Sequence, residues 1–168
     1  MTAAALLLAL VTLERLAELW LARRNTAALL AKGSFEVAPE HYPLIVLLHT
    51  FWLASLWLAG WQNQLIVGWL VIFLLLQVLR VWVLTTLGRR WTTRIIVQPG
   101  ASLVTNGPYR YLSHPNYLVV KGEIAVLPLC LGLPWFALGF SVANAAILAI
   151  RIRAENAALI GLRNVGSL

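Results

Sequence analysis

The chain contains no aspartate and only one cysteine, Cys130, which lies inside an apolar run. A lone cysteine excludes an intrachain disulfide. No CxxC pair and no HExxH occurs, so the spacings that hold zinc or a dinuclear metal are missing and no metal site is expected. Charge is scarce as well: 11% of residues carry it, against about 25% in a soluble domain. There is no glycine-rich dinucleotide fingerprint.

Apolar residues take the place of charge. They make up 61% of the chain, and the mean hydropathy is +0.82. A surface this poor in charge belongs in lipid. The net charge of +7 does not imply nucleic acid, because most of the basic residues flank apolar runs. That is how a membrane protein meets anionic headgroups. A length of 168 residues favours one domain.

Apolar runs fall at 2–22, 42–60, 64–87, 117–133 and 135–150. A bilayer crossing needs about 20 such residues. The first run has no positive n-region and is interrupted by Glu14, Arg15 and Glu18, so it reads as a retained helix rather than a signal peptide. The last two runs are short. "GLPW" (132–135) separates them, and Gly132 and Pro134 suit a tight helical turn. Pro128 is expected to kink the fourth helix.

Basic residues alternate from loop to loop. Segment 23–41 carries Arg23, Arg24 and Lys32, and segment 61–63 carries none. Segment 88–116 carries Arg89, Arg90, Arg94 and Arg110, and the 132–135 turn carries none. The tail carries Arg151, Arg153 and Arg163. The positive-inside rule then places the N-terminus outside and the C-terminus in the cytoplasm. The expected fold is an all-α integral membrane bundle of about five transmembrane helices, the last two forming a short helical hairpin. It divides into three N-terminal helices (1–87), a cytoplasmic connecting segment (88–116) and the hairpin with its tail (117–168). Within the connecting segment, Pro99-Gly100 suggests a bend and a short β-hairpin.

Glu14 and Glu18 share a helical face, Arg15 can pair with Glu18, and Arg80 sits two turns inside the third run. Intramembrane charges face protein or a polar cavity. Their spacing allows either a packing cluster of Glu14 or Glu18 with Arg80, or a site. His41 and His49 read as interfacial or hydrogen-bonded packing residues, and Glu36 and Glu40 as solvated loop charges.

The stretch "NGPYRYLSHPNY" (106–117) closes the connecting segment. Pro115 fits the first turn of a helix, which puts His114 at its N-cap or just before it. A helix N-terminus favours anions, so His114, the free amides after it and Arg110 suit a carboxylate. Tyr109, Tyr111 and Tyr117 offer flat faces to a purine or a cation. An aromatic and basic membrane anchor accounts for the same residues. Together with "TLGRRWTTRIIVQPGASLV" before it and "RIRAENAAL" (151–159) after it, this stretch resembles the isoprenylcysteine carboxyl methyltransferase family. The N-terminal "ERLAELWLARRN" and "HYPLIVLLH" are similar to a bacterial branch of that family linked to polyketide-derived lipids.

The resemblance implies S-adenosylmethionine as cofactor, bound at the cytoplasmic end of the last helices. It implies cofactor contacts from His114, Tyr117, Tyr109, Arg110 and Glu123. Arg151 and Glu155 match the family's C-terminal motif and are expected to line the reacting centre, with binding of the cofactor's amino group as the alternative for Glu155. Ser113, Val119 and Asn156 depart from the family pattern, where Arg, Gly and a second Glu are usual, and the tail stops at Leu168. The implied activity is methylation of a lipophilic acceptor reached from the bilayer of a bacterial inner membrane. The acceptor is either a prenylated cysteine carboxylate or the hydroxyl of an alkyl-resorcinol or alkyl-pyrone lipid. A carboxylate needs no general base, whereas a hydroxyl does. A non-enzymatic scaffold or transporter subunit would explain the spans. A phospholipid N-methyltransferase or related membrane reductase would share the C-terminal helices.

Overall fold

The computed structural model describes residues 2–165; the side chains of Asn156 and Arg163 lie outside the described residues. Five helices follow one another: α1 (Ala3–Leu30), α2 (Tyr42–Gly60), α3 (Val67–Leu87), α4 (Pro115–Cys130) and α5 (Pro134–Val165). Two short strands, β1 (Phe35–Glu36) and β2 (Ile96–Val97), lie in the connections. Among the described residues the fold is all-α apart from this pair.

Local chemistry sets the helix ends. The Thr2 hydroxyl caps α1 by accepting from the Ala5 amide at 3.1 Å. Gly33 and Gly88 take positive φ just after α1 and α3, where an L side chain would be strained. Pro115 and Pro134 open α4 and α5 at positions where a missing donor is harmless. Between those two helices Gly132, at φ +69°, reverses the chain.

The two ends of the bundle are tied separately. At one end the Thr2 hydroxyl donates to the Trp61 carbonyl. There too Asn63 Nδ2 donates to Leu131 O at 2.8 Å, and Ile66 N donates to Cys130 O at 2.9 Å. At the other end β1 pairs antiparallel with β2, Phe35 opposite Val97 and Glu36 opposite Ile96. Both long basic connections therefore lie at the same end, as their charge suggested. β2 pairs with the first connection and not with a strand of its own segment, so the expected β-hairpin is replaced by this pairing. Glu36 is correspondingly not a free loop charge: Arg94 Nη1 binds it at 2.8 Å, with the guanidinium over the Tyr42 ring.

The core runs through the helices between these ends, with Leu8, Leu56, Ile124 and Leu127 fully buried. Helices α3 and α4 cross closely at Gly122, where a Cβ would sit 2.7 Å from a Leu76 methyl. Outward faces carry exposed Leu, Val, Ile and Trp, as a lipid-facing surface requires.

Among the described residues, three helical segments are long and apolar enough to cross a membrane: Pro39–Gly60, Val67–Arg90 and Pro134–Glu155. The expected count of five is not met on that measure. Glu14, Arg15 and Glu18 interrupt α1, and α4 has only 16 residues, about 24 Å at 1.5 Å per residue, against a hydrocarbon core of about 30 Å. The last two helices form the expected hairpin about the Gly132 turn, but it is not short. Helix α5 runs unbroken for 32 residues, well past the apolar limit at 150, because good helix formers such as Arg, Ala and Glu continue it. That extension carries Arg151 and Glu155.

Candidate functional site

A cavity of about 690 Å³ opens at the end of the bundle where the two basic connections meet. Most of its lining comes from three parts of the chain, with Leu29, Leu87 and Tyr109 completing it. The start of α4 contributes Ser113, His114, Asn116 and Tyr117. The extension of α5 contributes Arg151 and Glu155. The third wall is the strap that follows α3, from Arg90 to Thr105.

Tyr117 is the junction of the site. Its hydroxyl donates to the Glu155 carboxylate and accepts from Arg151 Nε at 2.9 Å. Arg151 Nη2 also donates to the Thr93 carbonyl at 2.7 Å, which ties α5 to the strap. Arg151 is buried, and a buried guanidinium needs such partners. His114 stands at the N-cap of α4, and its carbonyl accepts from the Tyr117 amide at 3.1 Å. Its ring stacks on Tyr117, with centroids 5.3 Å apart and 28° between planes. Tyr109 enters from the 3-10 turn Gly107–Arg110. Burial pushes its phenol up to about 12, and the negative charge of Glu155 adds to this. Tyr109 is therefore a neutral hydrogen-bonding group at any ordinary pH.

Of the seven residues expected from the sequence, five come together here: Tyr109, His114, Tyr117, Arg151 and Glu155. The other two do not border the cavity. Arg110 is exposed, with its guanidinium 6.0 Å from the Tyr111 ring. Glu123 lies two turns deeper in α4, buried in an ion cluster. It accepts from Arg80 Nε at 2.7 Å, from Gln77 Nε2 at 2.8 Å and from Arg15 Nη2 at 3.3 Å. Arg80 also binds Glu18 at 2.7 Å and approaches Glu14 at 3.7 Å. Glu123 lies nine residues after His114, and that many helical residues span about 13 Å. Spacing in the sequence hid the separation.

Sequence reasoning missed the strap as a wall. The available signal was its length, since 88–114 is a long connection and such loops tend to be functional. Trp91, Ile95 and Val97 of the strap are buried and give the cavity a dry side. Asn25 of α1 holds the start of the strap, its Nδ2 donating to the Trp91 and Gly88 carbonyls at 2.8 and 3.2 Å.

Comparison with known proteins identifies the family. The model of the isoprenylcysteine carboxyl methyltransferase (ICMT) family matches residues 69–161, a span that holds all five cavity residues named above. The chain is also 38% identical over 159 residues to a protein of Bacillus subtilis (strain 168) described as uncharacterized protein YpbQ, covering 92% of this chain and 95% of that one. No solved structure matches.

Proposed function

The chain belongs to the isoprenylcysteine carboxyl methyltransferase family, a family of membrane methyltransferases, and within it we propose an S-adenosylmethionine-dependent O-methyltransferase acting on a lipid-like acceptor. The observation that carries this reading is the hydrogen-bonded trio of Glu155, Tyr117 and Arg151 on the border of the main cavity.

The residues present suit the cofactor. The volume of about 690 Å³ falls inside the roughly 300–1,000 Å³ of small-molecule sites. Glu155 offers an anion to an ammonium or sulfonium group. Arg151 and the amides at the start of α4 offer partners to a carboxylate. The stacked rings of His114 and Tyr117 offer an aromatic face to a purine. When bound, S-adenosylmethionine supplies a methyl group activated by its sulfonium charge.

The protein's own contribution is positional and electrostatic. Tyr117 holds Glu155 and Arg151 in one arrangement, and the Thr93 carbonyl fixes Arg151 from the other side. Side chains held this way lose little freedom on binding. The buried strap residues keep water from one wall, which favours a reaction in which cation and electron-rich oxygen neutralise one another. Glu155 is placed to accept a proton from a hydroxyl acceptor, and a carboxylate acceptor would leave it a purely electrostatic role. The acceptor classes remain a prenylated cysteine carboxylate and an alkyl-resorcinol or alkyl-pyrone hydroxyl. The same proposal has the cavity facing the cytoplasm of a bacterial inner membrane, with all five helices crossing and α1 starting outside. Arg110 and Glu123 are left out of the proposed contacts.

Calorimetry on detergent-solubilised protein tests this directly, with His114→Ala beside the parent and NADPH as a control. Binding of S-adenosylmethionine that weakens in the variant is expected. Binding of NADPH instead would point to the reductase reading, and no binding of either would remove the enzymatic one.

A further inference from the structure

Tyr42 opens α2 and is followed by Pro43, so the first helical turn sets its backbone. Its side chain meets two successive residues of the strap. The hydroxyl lies 3.2 Å from the Thr93 hydroxyl. The ring centroid lies 4.4 Å from the Arg94 guanidinium, which is itself bound to Glu36 at 2.8 Å. Tyr42 does not border the main cavity, and it precedes the residues 69–161 that the family model matches.

Thr93 needs such support. It lies between the 3-10 turn Gly88–Arg90 and β2, in a stretch with neither helix nor ladder. No regular structure therefore orients its peptide plane. Its carbonyl nevertheless accepts from Arg151 Nη2 at 2.7 Å. Among the described residues, the other hydrogen bond of Arg151 runs from Nε to the Tyr117 hydroxyl at 2.9 Å. Two anchor points fix the orientation of a planar guanidinium, whereas one lets it swing. With both in place, the remaining N–H groups of Arg151 keep one direction. A group that grips a ligand works best when neighbours lock its own rotamer in this way.

We infer that Tyr42 is a positioning residue for the main cavity: it holds Thr93, and the Thr93 carbonyl aims Arg151 at the carboxylate of the bound cofactor. This rests on the S-adenosylmethionine reading of that cavity. The hold runs in series, from Tyr42 to Thr93 and from Thr93 to Arg151. Its effect is therefore confined to ligands that bear the amino-acid carboxylate.

Calorimetry on the detergent-solubilised full-length protein tests this with S-adenosylhomocysteine and methylthioadenosine. Both contain the adenosine thioether, and only the first contains the amino acid. Tyr42→Phe keeps the ring and removes the hydroxyl, and Thr93→Val removes the hydroxyl on the other side. Each is expected to weaken S-adenosylhomocysteine about fivefold, the usual worth of one hydrogen bond. Methylthioadenosine should stay within about twofold. Thr93→Ser, which keeps the hydroxyl, should restore the parent's preference. Equal losses for the two ligands, losses that follow the unfolding temperature, or unchanged affinity for S-adenosylhomocysteine in both variants would overturn the proposal. A second readout needs no ligand. In protein containing isotope-labelled arginine, the Arg151 Nε–H resonance, assigned by its loss in Arg151→Lys, should broaden in Tyr42→Phe as the guanidinium gains freedom. An unchanged resonance would break the link between Tyr42 and Arg151. A parent protein that binds neither nucleoside would remove the cofactor reading, and the resonance alone would then decide whether Tyr42 holds Arg151.

Discussion

Arg80 Nε lies 2.7 Å from Glu123 Oε1, and the pair joins α3 to α4 in the interior of the bundle. Glu18 of α1 completes the junction at 2.7 Å from Arg80 Nη1, so one guanidinium holds three helices together. Removing it leaves carboxylates buried without their main partner. Arg80→Met is expected to destabilise the protein by about 3–5 kcal/mol, the usual loss when one member of a buried pair is deleted. Thermal unfolding in detergent measures this. The double variant Arg80→Met with Glu123→Gln is expected to recover part of the loss.

Glu123→Gln separates the cluster from the cofactor site. Its carboxylate is bound by Arg80, Gln77 and Arg15 and does not border the main cavity. Stability should fall while the affinity for S-adenosylmethionine holds within about twofold, a difference of ~0.4 kcal/mol. A selective loss of affinity in a stable variant would return Glu123 to the cofactor contacts.

His114 and Glu155 are expected to divide binding from chemistry. His114→Ala removes the ring stacked on Tyr117, and S-adenosylmethionine affinity should fall about tenfold with the helical circular dichroism unchanged. Glu155→Gln should lower kcat about a hundredfold, the lower range for loss of a general base, with a smaller change in affinity. Equal losses in both quantities would make Glu155 a binding residue.

Tyr109 supplies a pH signature. Its phenol is pushed up to about 12 by burial and by Glu155, whereas an unfolded tyrosine titrates near 10. The folded state therefore binds the extra proton between those values. Its stabilising contribution is complete below about pH 10 and is lost as the pH rises toward 12. An alkaline absorbance titration should lose the late phenolate near pH 12 in Tyr109→Phe.

Labelling reads the orientation of the bundle. The 61–63 turn and the strap lie at opposite ends of the bundle. In a Cys130→Ala background, Gln62→Cys should react with an impermeant maleimide from outside, and Thr92→Cys only after the membrane is opened. The reverse pattern would invert the orientation and place the main cavity outside.

Much of the architecture was readable in the sequence. Run 42–60 became α2 with the same limits, and Pro115 and Pro134 marked the starts of α4 and α5, because a proline in the first turn costs no helical hydrogen bond. The charge pattern of the loops foretold which connections share an end, since all the basic ones do. Composition determined the solvent: with so little charge, the outer faces had to meet lipid.

Periodicity and spacing could not decide which polar residues meet. Glu123 follows His114 closely in the chain, yet the rise of α4 carries it into the ion cluster and away from the main cavity. Arg15 and Glu123 are 108 residues apart and in contact. The hairpin expected at Pro99-Gly100 gave way to pairing between β1 and β2, because open strand groups take whatever partner the bundle brings near. Only the tertiary structure set Thr93 with its hydroxyl beside Tyr42 of α2 and its carbonyl on Arg151 of α5. A backbone carbonyl carries no sequence signal, so its role depends wholly on where packing leaves it.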